Sequence, residues 1–249
     1  MTETVDLTGA RAPDGMRLYA IGDVHGRLDL LQRMHDAIDS EIARDRPDDW
    51  RIIHLGDYCD RGPQTRGVLD FIIGRQAVDN RVLSLRGNHD DGMLNFLNDK
   101  GEQRIFTQHG GDATARSYGV EADFASEASI RVVRAVLRSA VPQSHKDFLD
   151  SLPLNAVFGD FFFVHAGIRP GIPLNMQDPA DMMWIRGEFH NHTGLYEKVI
   201  VHGHTPQNDV EFRPNRVNLD TRAPLSGVLS CLRVDGAEKR LLTISESKP

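Results

Sequence analysis

Three times within the first hundred residues an apolar run breaks into a short polar cluster, then apolar residues resume at helical spacing. RLYAI (17–21) runs into GDVHG (22–26), after which Leu28, Leu30, Leu31, Met34, Ile38 and Ile42 recur every few residues. RIIHL (51–55) ends in GDYCDRG (56–62), ahead of Val68, Leu69, Ile72 and Ile73. A third run (81–85) ends in RGNHD (86–90), and another helical stretch follows. Short apolar runs of this kind read as strands and the spacing behind them as helices. Strands alternating with helices predict an α/β sheet. Ligands of such sheets sit outside the carboxyl ends of the strands, which places all three clusters on one rim. GDYCDRG is the densest, with Asp57, Asp60 and Arg61 in seven residues. Charge of that density at the end of a buried strand is costly unless compensated, although the segment alone also suits a surface turn.

The rest of the chain reads more simply. Residues 1–15, with Pro13 and Gly15 as breakers, form a loose leader. Residues 101–151 are mostly helical, show no catalytic signature and read as a cap-like insertion over the rim, with His145 and Asp147 as surface residues. After Pro153, strands at 154–158 and 161–164 flank the hairpin turn Gly159-Asp160. The second of them ends in HAG (165–167). WIRGEF (184–189) follows, and a strand at 198–201 ends in HGHTP (202–206). Runs at 217–219, 227–234 and 241–244 read as antiparallel strands of a second sheet packed on the first. Residues 1–249 are taken as a single domain.

A net charge of −7 argues against a general nucleic-acid binder, whose footprint is a basic face. No apolar stretch approaches the ~18 residues of a membrane span, and the first fifteen residues lack a signal-peptide core. No membrane association and a cytoplasmic location are therefore expected. The two cysteines, Cys59 and Cys231, have no CxxC spacing, which excludes a disulfide framework and a zinc-finger pattern. Cys59 has no base partner in its local sequence and reads as filler rather than nucleophile.

Asp23, His25, Asp57, Asn88, His165 and His204 stand at predicted strand ends, with Asp60, Arg61, His89 and Arg186 nearby in sequence. Six oxygen- or imidazole-bearing side chains on one rim match the needs of two divalent transition ions. Two such ions roughly 3.5–4 Å apart can share a carboxylate, and Asp57 is central in chain order. Any one of these histidines alone is more simply a core or surface residue. The fivefold recurrence of strand followed by ligand argues that they act together. His54 reads as a strand residue, and His202 competes with His204 because residues two apart share a strand face.

GDVHG, GDYCDRG and RGNHD, with HAG and GHT downstream, resemble in order the motifs of the PPP-type metal-dependent serine/threonine phosphoprotein phosphatases, within the calcineurin-like metallophosphoesterase superfamily. The likeness runs from Ile21 to about Thr221. It implies a four-layer αββα sandwich with the active site at the carboxyl ends of the central strands. It also implies two metal ions, Mn²⁺ being the first expectation, with Fe or Zn²⁺ as alternatives. Asp23 and His25 would hold one ion, Asn88, His165 and His204 the other, and Asp57 would bridge them. His89 would be the general acid, oriented and kept cationic by Asp60. Arg61 and Arg186 would clamp the phosphoryl oxygens, with Asn88 beside them.

The implied reaction is hydrolysis of phosphoserine or phosphothreonine in proteins by direct attack of a hydroxide bridging the ions, without a phosphoenzyme. Bacterial relatives with the same motifs suggest an alternative, a dinucleoside polyphosphate hydrolase or other small-molecule phosphoesterase. A phosphodiesterase and a non-catalytic binding module are further readings. Two departures stand out: Asp90 closes the third motif where the family more often has Glu, and Arg222 replaces the glycine of a DTGA-like stretch. Arg222 is either a substrate contact or a solvated side chain.

Overall fold

The computed structural model describes residues 4–101 and 103–246. Strand β1 (Met16–Ile21) leads into α1 (Leu28–Asp45), β2 (Asp49–His54) into α2 (Thr65–Val78), and β3 (Val82–Ser84) into α3 (Asn88–Asn98). Helices α4 (Arg104–Gln108), α5 (Gly111–Ser117), α6 (Glu127–Ala140) and α7 (Gln143–Ser151) follow. The second half contains β4 (Asn155–Phe158), β5 (Phe161–Val164), α8 (Pro179–Trp184), α9 (Gly187–His190) and β6 (Val199–His202). It ends with β7 (Glu211–Arg213), β8 (Arg216–Asn218), α10 (Ala223–Ser226) and the hairpin β9 (Val228–Asp235) and β10 (Glu238–Ser245).

Two five-stranded sheets result, ordered β10-β9-β1-β2-β3 and β4-β5-β6-β8-β7. Strands β1, β2 and β3 run parallel, as do β5, β6 and β8. Successive side chains on a strand face opposite ways, and β5 and β6 are apolar on both faces for most of their length. Leu18, Ala20, Ile53, Phe161, Phe163, Val199, Val201, Leu232 and Val234 meet between the sheets. Tyr19, Ile21, Ile52 and Cys231 turn outward onto Leu30, Leu31, Met34, Leu69 and Ile72 of α1 and α2. On the far side, Phe162, Val164 and Ile200 pack against Met182, Ile185 and Phe189 of the α8–α9 region. Three apolar layers make four layers of structure, helix, sheet, sheet, helix, which is the metallophosphoesterase sandwich. Truncating a fully buried ring such as Phe163 typically costs about 3–5 kcal/mol.

The structure departs from the sequence reading in four places. Strands β9 and β10 extend the first sheet rather than building the second, because β9 pairs antiparallel with β1, Tyr19 opposite Arg233. The supposed leader is packed, and only residues 1–3 of it lie outside the described residues. Val5 bridges Tyr196, and Ala10 and Ala12 are buried in the inter-sheet core. Most of the 101–151 region thickens the helical layer instead of capping the rim, since α6 and α7 pack on α3. Finally, His145 is buried, its Nδ1 2.8 Å from the Tyr118 hydroxyl and its Nε2 2.9 Å from Asp70. No described helix is long and apolar enough to cross a membrane.

Candidate active site

The loops that leave β1 and β2 are tied to each other before any side chain is considered. Val24 N and His25 N donate to Asp57 O at 3.2 and 2.8 Å, and Gly26 N donates to Tyr58 O at 2.9 Å. So close a crossing demands glycine: a Cβ on Gly62 would fall 2.0 Å from His25 O. The bend also forces His25, Asp57, Asp60 and Arg61 into left-handed backbone, with φ of 43°, 54°, 71° and 67°, and His204 shares that conformation at 63°. Such conformations cost an L-residue of order 1–3 kcal/mol each and cluster at functional sites.

Asp90 holds the second loop in place. Its buried carboxylate accepts from the backbone N–H of Asp57 (2.8 Å), Tyr58 (2.9 Å) and Gly87 (2.9 Å). Burial, reinforced by the charge of Asp57, nevertheless pushes its pKa up to about 6. The sequence reading treated Asp90 only as a departure from a motif, and its role as a backbone clamp becomes visible only in three dimensions.

Two groups of ligating atoms converge on Asp57. One joins it to His25 and His89, the other to His165 and His204, and within each group the atoms lie within 4.8 Å of one another. Asn88 Oδ1 is 2.9 Å from both His165 Nε2 and His204 Nδ1. Asp23 is buried beside them and accepts from His204 N at 3.1 Å. Gly203 makes room for it, since a Cβ there would sit 1.9 Å from Asp23 Oδ1. His202 stands apart, with its ring 4.9 Å from that of Phe189 and its Nδ1 facing Gly203 O. His54 lies in β2, paired with His35 at 2.9 Å, and Arg222 does not line the cavity described below. Cys59 is buried with its Sγ 3.4 Å from Met93 Sδ, and burial pushes its thiol well above the usual range.

These residues suit divalent cations. His25 and His165 point Nδ1 at the carbonyls of Cys59 (2.7 Å) and Leu55 (3.0 Å), which fixes the tautomer and leaves the Nε2 lone pairs facing inward. His165 Nε2 then meets Asn88 Oδ1 acceptor to acceptor, an arrangement that a cation between them satisfies. Burial lowers the pKa of His25, His165 (to about 4) and His204, so all three are neutral imidazoles. Burial and mutual repulsion raise Asp23, and burial raises Asp57 and Asp220. Asp220, which the sequence reading passed over within DTRA, is buried with its Oδ2 lacking a hydrogen-bond partner. Crowded carboxylates and neutral imidazoles together form a site deficient in positive charge.

His89 lies between two partners. Its Nδ1 is 2.7 Å from Asp60 Oδ2, while Arg61 Nη2 donates to its Nε2 at 2.9 Å. Arg61 Nη1 donates to His25 Nε2 at the same distance, and Arg186 Nε donates to His204 Nε2 at 3.1 Å. Burial, with the charge of Arg61, pushes His89 down to about 4, and burial pushes Asp60 up to about 8. Asp60 is thus positioned to orient the imidazole through Nδ1. A cavity of about 380 Å³ opens over the group, lined by Asp57, Arg61, Asn88, His89, Arg186 and His204, with Ile105, His109 and Trp184 at its edge.

The profile of the calcineurin-like phosphoesterase family matches residues 16–223. The asymmetrical bis(5'-nucleosyl)-tetraphosphatase PrpE of Anoxybacillus flavithermus is 26% identical over 232 residues, 86% of this chain and 88% of the relative. A crystal structure described provisionally as a diadenosine tetraphosphatase superposes with a TM-score of 0.64 at 17% identity, covering 94% of this chain and 98% of the other. A serine/threonine phosphatase from Saccharomyces cerevisiae superposes with a TM-score of 0.54 at 14% identity, covering 94% and 81%.

Proposed function

Because this chain belongs to the calcineurin-like phosphoesterase family, we propose that it hydrolyses dinucleoside polyphosphates with the aid of two divalent cations. The observation that carries this reading is the convergence of two ligand groups on Asp57, at a pocket that Arg61, Arg186 and His89 also line. The name of the relatives aligned along nearly the whole chain favours a phosphoanhydride between nucleosides over phosphoserine or phosphothreonine. That reverses the order in which the motifs alone rank the two substrates.

Asp23, His25 and Asp57 would hold one cation, and Asp57, Asn88, His165 and His204 the second. Bound there, divalent cations neutralise phosphoryl charge and bring the pKa of water toward about 7. Arg61 and Arg186 would grip phosphoryl oxygens, which guanidinium groups recognise in pairs of parallel hydrogen bonds. An Arg61 turned onto a phosphoryl group no longer donates to His89 Nε2, which then can carry a proton. That proton goes to the oxygen of the departing phosphate chain, while Asp60 keeps the ring aligned through Nδ1. Mn²⁺ is the ion to add first, and the mixed nitrogen and oxygen donors also suit Fe and Zn²⁺.

The test is a comparison of kcat/KM for diadenosine tetraphosphate, a phosphoserine peptide and a bis-aryl phosphodiester with added Mn²⁺. The dinucleotide is expected to lead by at least about a hundredfold. A lead of that size for the phosphopeptide would overturn the reading.

A further inference from the structure

Asp220 is buried on the rim but belongs to neither of the two ligand groups that meet at Asp57. Strand β8 runs parallel to β6, with His202 opposite Asn218, so both strands end on the same side of the sheet. Leu219 N donates to His202 O at 2.8 Å and Gln207 N donates to Asp220 O at 2.9 Å, which carries the pairing past the strand ends. The same stretch lies against the loop that leaves β1, where a Cβ on Gly22 would fall 2.3 Å from Leu219 O. Asp220 is therefore set between the loop that carries Asp23 and the loop that carries His204.

Local bonds fix one half of its carboxyl group and leave the other half free. Asn218 Oδ1 accepts from Asp220 N at 3.0 Å, and Asn218 Nδ2 donates to Thr205 O at 2.7 Å, which ties this turn to the HGHTP loop. Asp220 Oδ1 accepts from Arg222 N at 2.9 Å. Oδ2 receives no donor among the described residues, and Asp220 is only 1% exposed. Buried charges are paired or bound to metal. Arg61, a basic group whose charge reaches Asp220, has Nη1 and Nη2 committed to His25 and His89. The carboxyl of Asp23 lies within hydrogen-bonding reach, and the charge of Asp220 helps to raise both Asp23 and Asp57. Two carboxylates in such contact need a proton or a cation to hold them together.

Resting on the reading of the site as one that takes two divalent cations, we propose that Asp220 is a further residue of the metal site, its free Oδ2 serving the cation of Asp23, His25 and Asp57 directly or through one water molecule. A carboxylate oxygen suits both forms, since it ligates a divalent ion or accepts a hydrogen bond from a water beside it. The placement also makes the two halves of the site unequal. Asp23 and Asp220 add charge on one side of Asp57, whereas Asn88, His165 and His204 on the other side bring neutral donors.

The test uses the full-length enzyme and Mn²⁺ alone, without substrate. Equilibrium dialysis is expected to count two ions in the wild type. Asp220→Asn keeps an acceptor for Arg222 N but removes the charge. It is expected to raise the Kd of one ion at least about tenfold, the usual worth of a group that supports a metal site, while the other shifts less than about threefold. If Asp220 only shapes its loop, this isosteric variant binds both ions as the wild type does, and that result overturns the proposal. Equal weakening of both ions overturns it as well. Anomalous scattering from Mn²⁺-soaked wild-type crystals needs no variant. It is expected to place an ion within about 5 Å of Asp220 Oδ2, the reach of one intervening water, and a longer distance overturns the proposal. A wild type that binds fewer than two ions defeats the two-cation reading itself, and this inference with it.

Discussion

Asp60 Oδ2 lies 2.7 Å from His89 Nδ1, and Thr114 Oγ1 donates to the other oxygen of the same carboxylate at 2.7 Å. The imidazole is therefore oriented from behind, with its second nitrogen turned to the pocket. His89→Asn should lower kcat by about 10²–10⁴-fold, the usual worth of a general acid. Asp60→Asn should cost about 10–100-fold, as loss of an orienting partner does. Metal content, measured by elemental analysis, should stay at the wild-type level in Asp60→Asn. Full kcat in His89→Asn would remove the acid from the mechanism.

The Asp90 carboxylate takes up the backbone donors of Asp57, Tyr58 and Cys59 in the GDYCDRG loop and of Gly87 beside it. Asp90→Ala leaves them buried without a partner, at about 1–3 kcal/mol for each. Denaturant titration should show a loss of about 3 kcal/mol or more, accompanied by weaker metal binding. An unchanged midpoint would mean that the loop keeps its shape without the clamp.

Gly203 separates a structural effect from a site effect. Its missing Cβ is the space that Asp23 occupies. Gly203→Ala should displace that carboxylate and weaken metal retention on dialysis by at least about tenfold, a loss typical of disturbed ligand support. The far-ultraviolet circular dichroism spectrum should be preserved.

The buried pair His35–His54 predicts how stability responds to acid. Burial pushes His54 down to about 4 and His35 down to about 2. His54 Nδ1 faces Leu83 O, so its Nε2 accepts from His35, and burial disfavours the charged form of both rings. With folded-state values below the ordinary ~6.5 of histidine, the unfolded chain binds more protons. The pair's contribution is thus complete above pH ~6.5 and falls as pH drops from ~6.5 toward 4, by up to about 3 kcal/mol for His54. His54→Gln should flatten that slope in metal-free protein relative to wild type, as read from urea midpoints between pH 7 and 4.5.

Much of this architecture is legible in the sequence because it is local. An apolar run followed by Gly and a ligand marks a strand end in GDVHG, GDYCDRG and RGNHD alike, and one rim follows from parallel strands. What is decided by distant partners is not legible. The β9–β10 hairpin could complete either sheet until its pairing with β1 is seen. The polar text of residues 4–12 conceals two alanines that fill the inter-sheet core. His145 looks like a surface residue because Tyr118 and Asp70, which satisfy it, lie far off in the chain. Trp184 stands two residues before Arg186, yet nothing in WIRGEF tells that it borders the same pocket.

The left-handed backbone at His25, Asp57 and His204 has a practical corollary for anyone improving the enzyme. Glycine adopts those angles without penalty, so the substitutions that most relax the fold there are the ones that delete its chemistry. A laboratory screen rewarding heat resistance alone would drift toward sturdier, inert variants. Selection has to score turnover at every round.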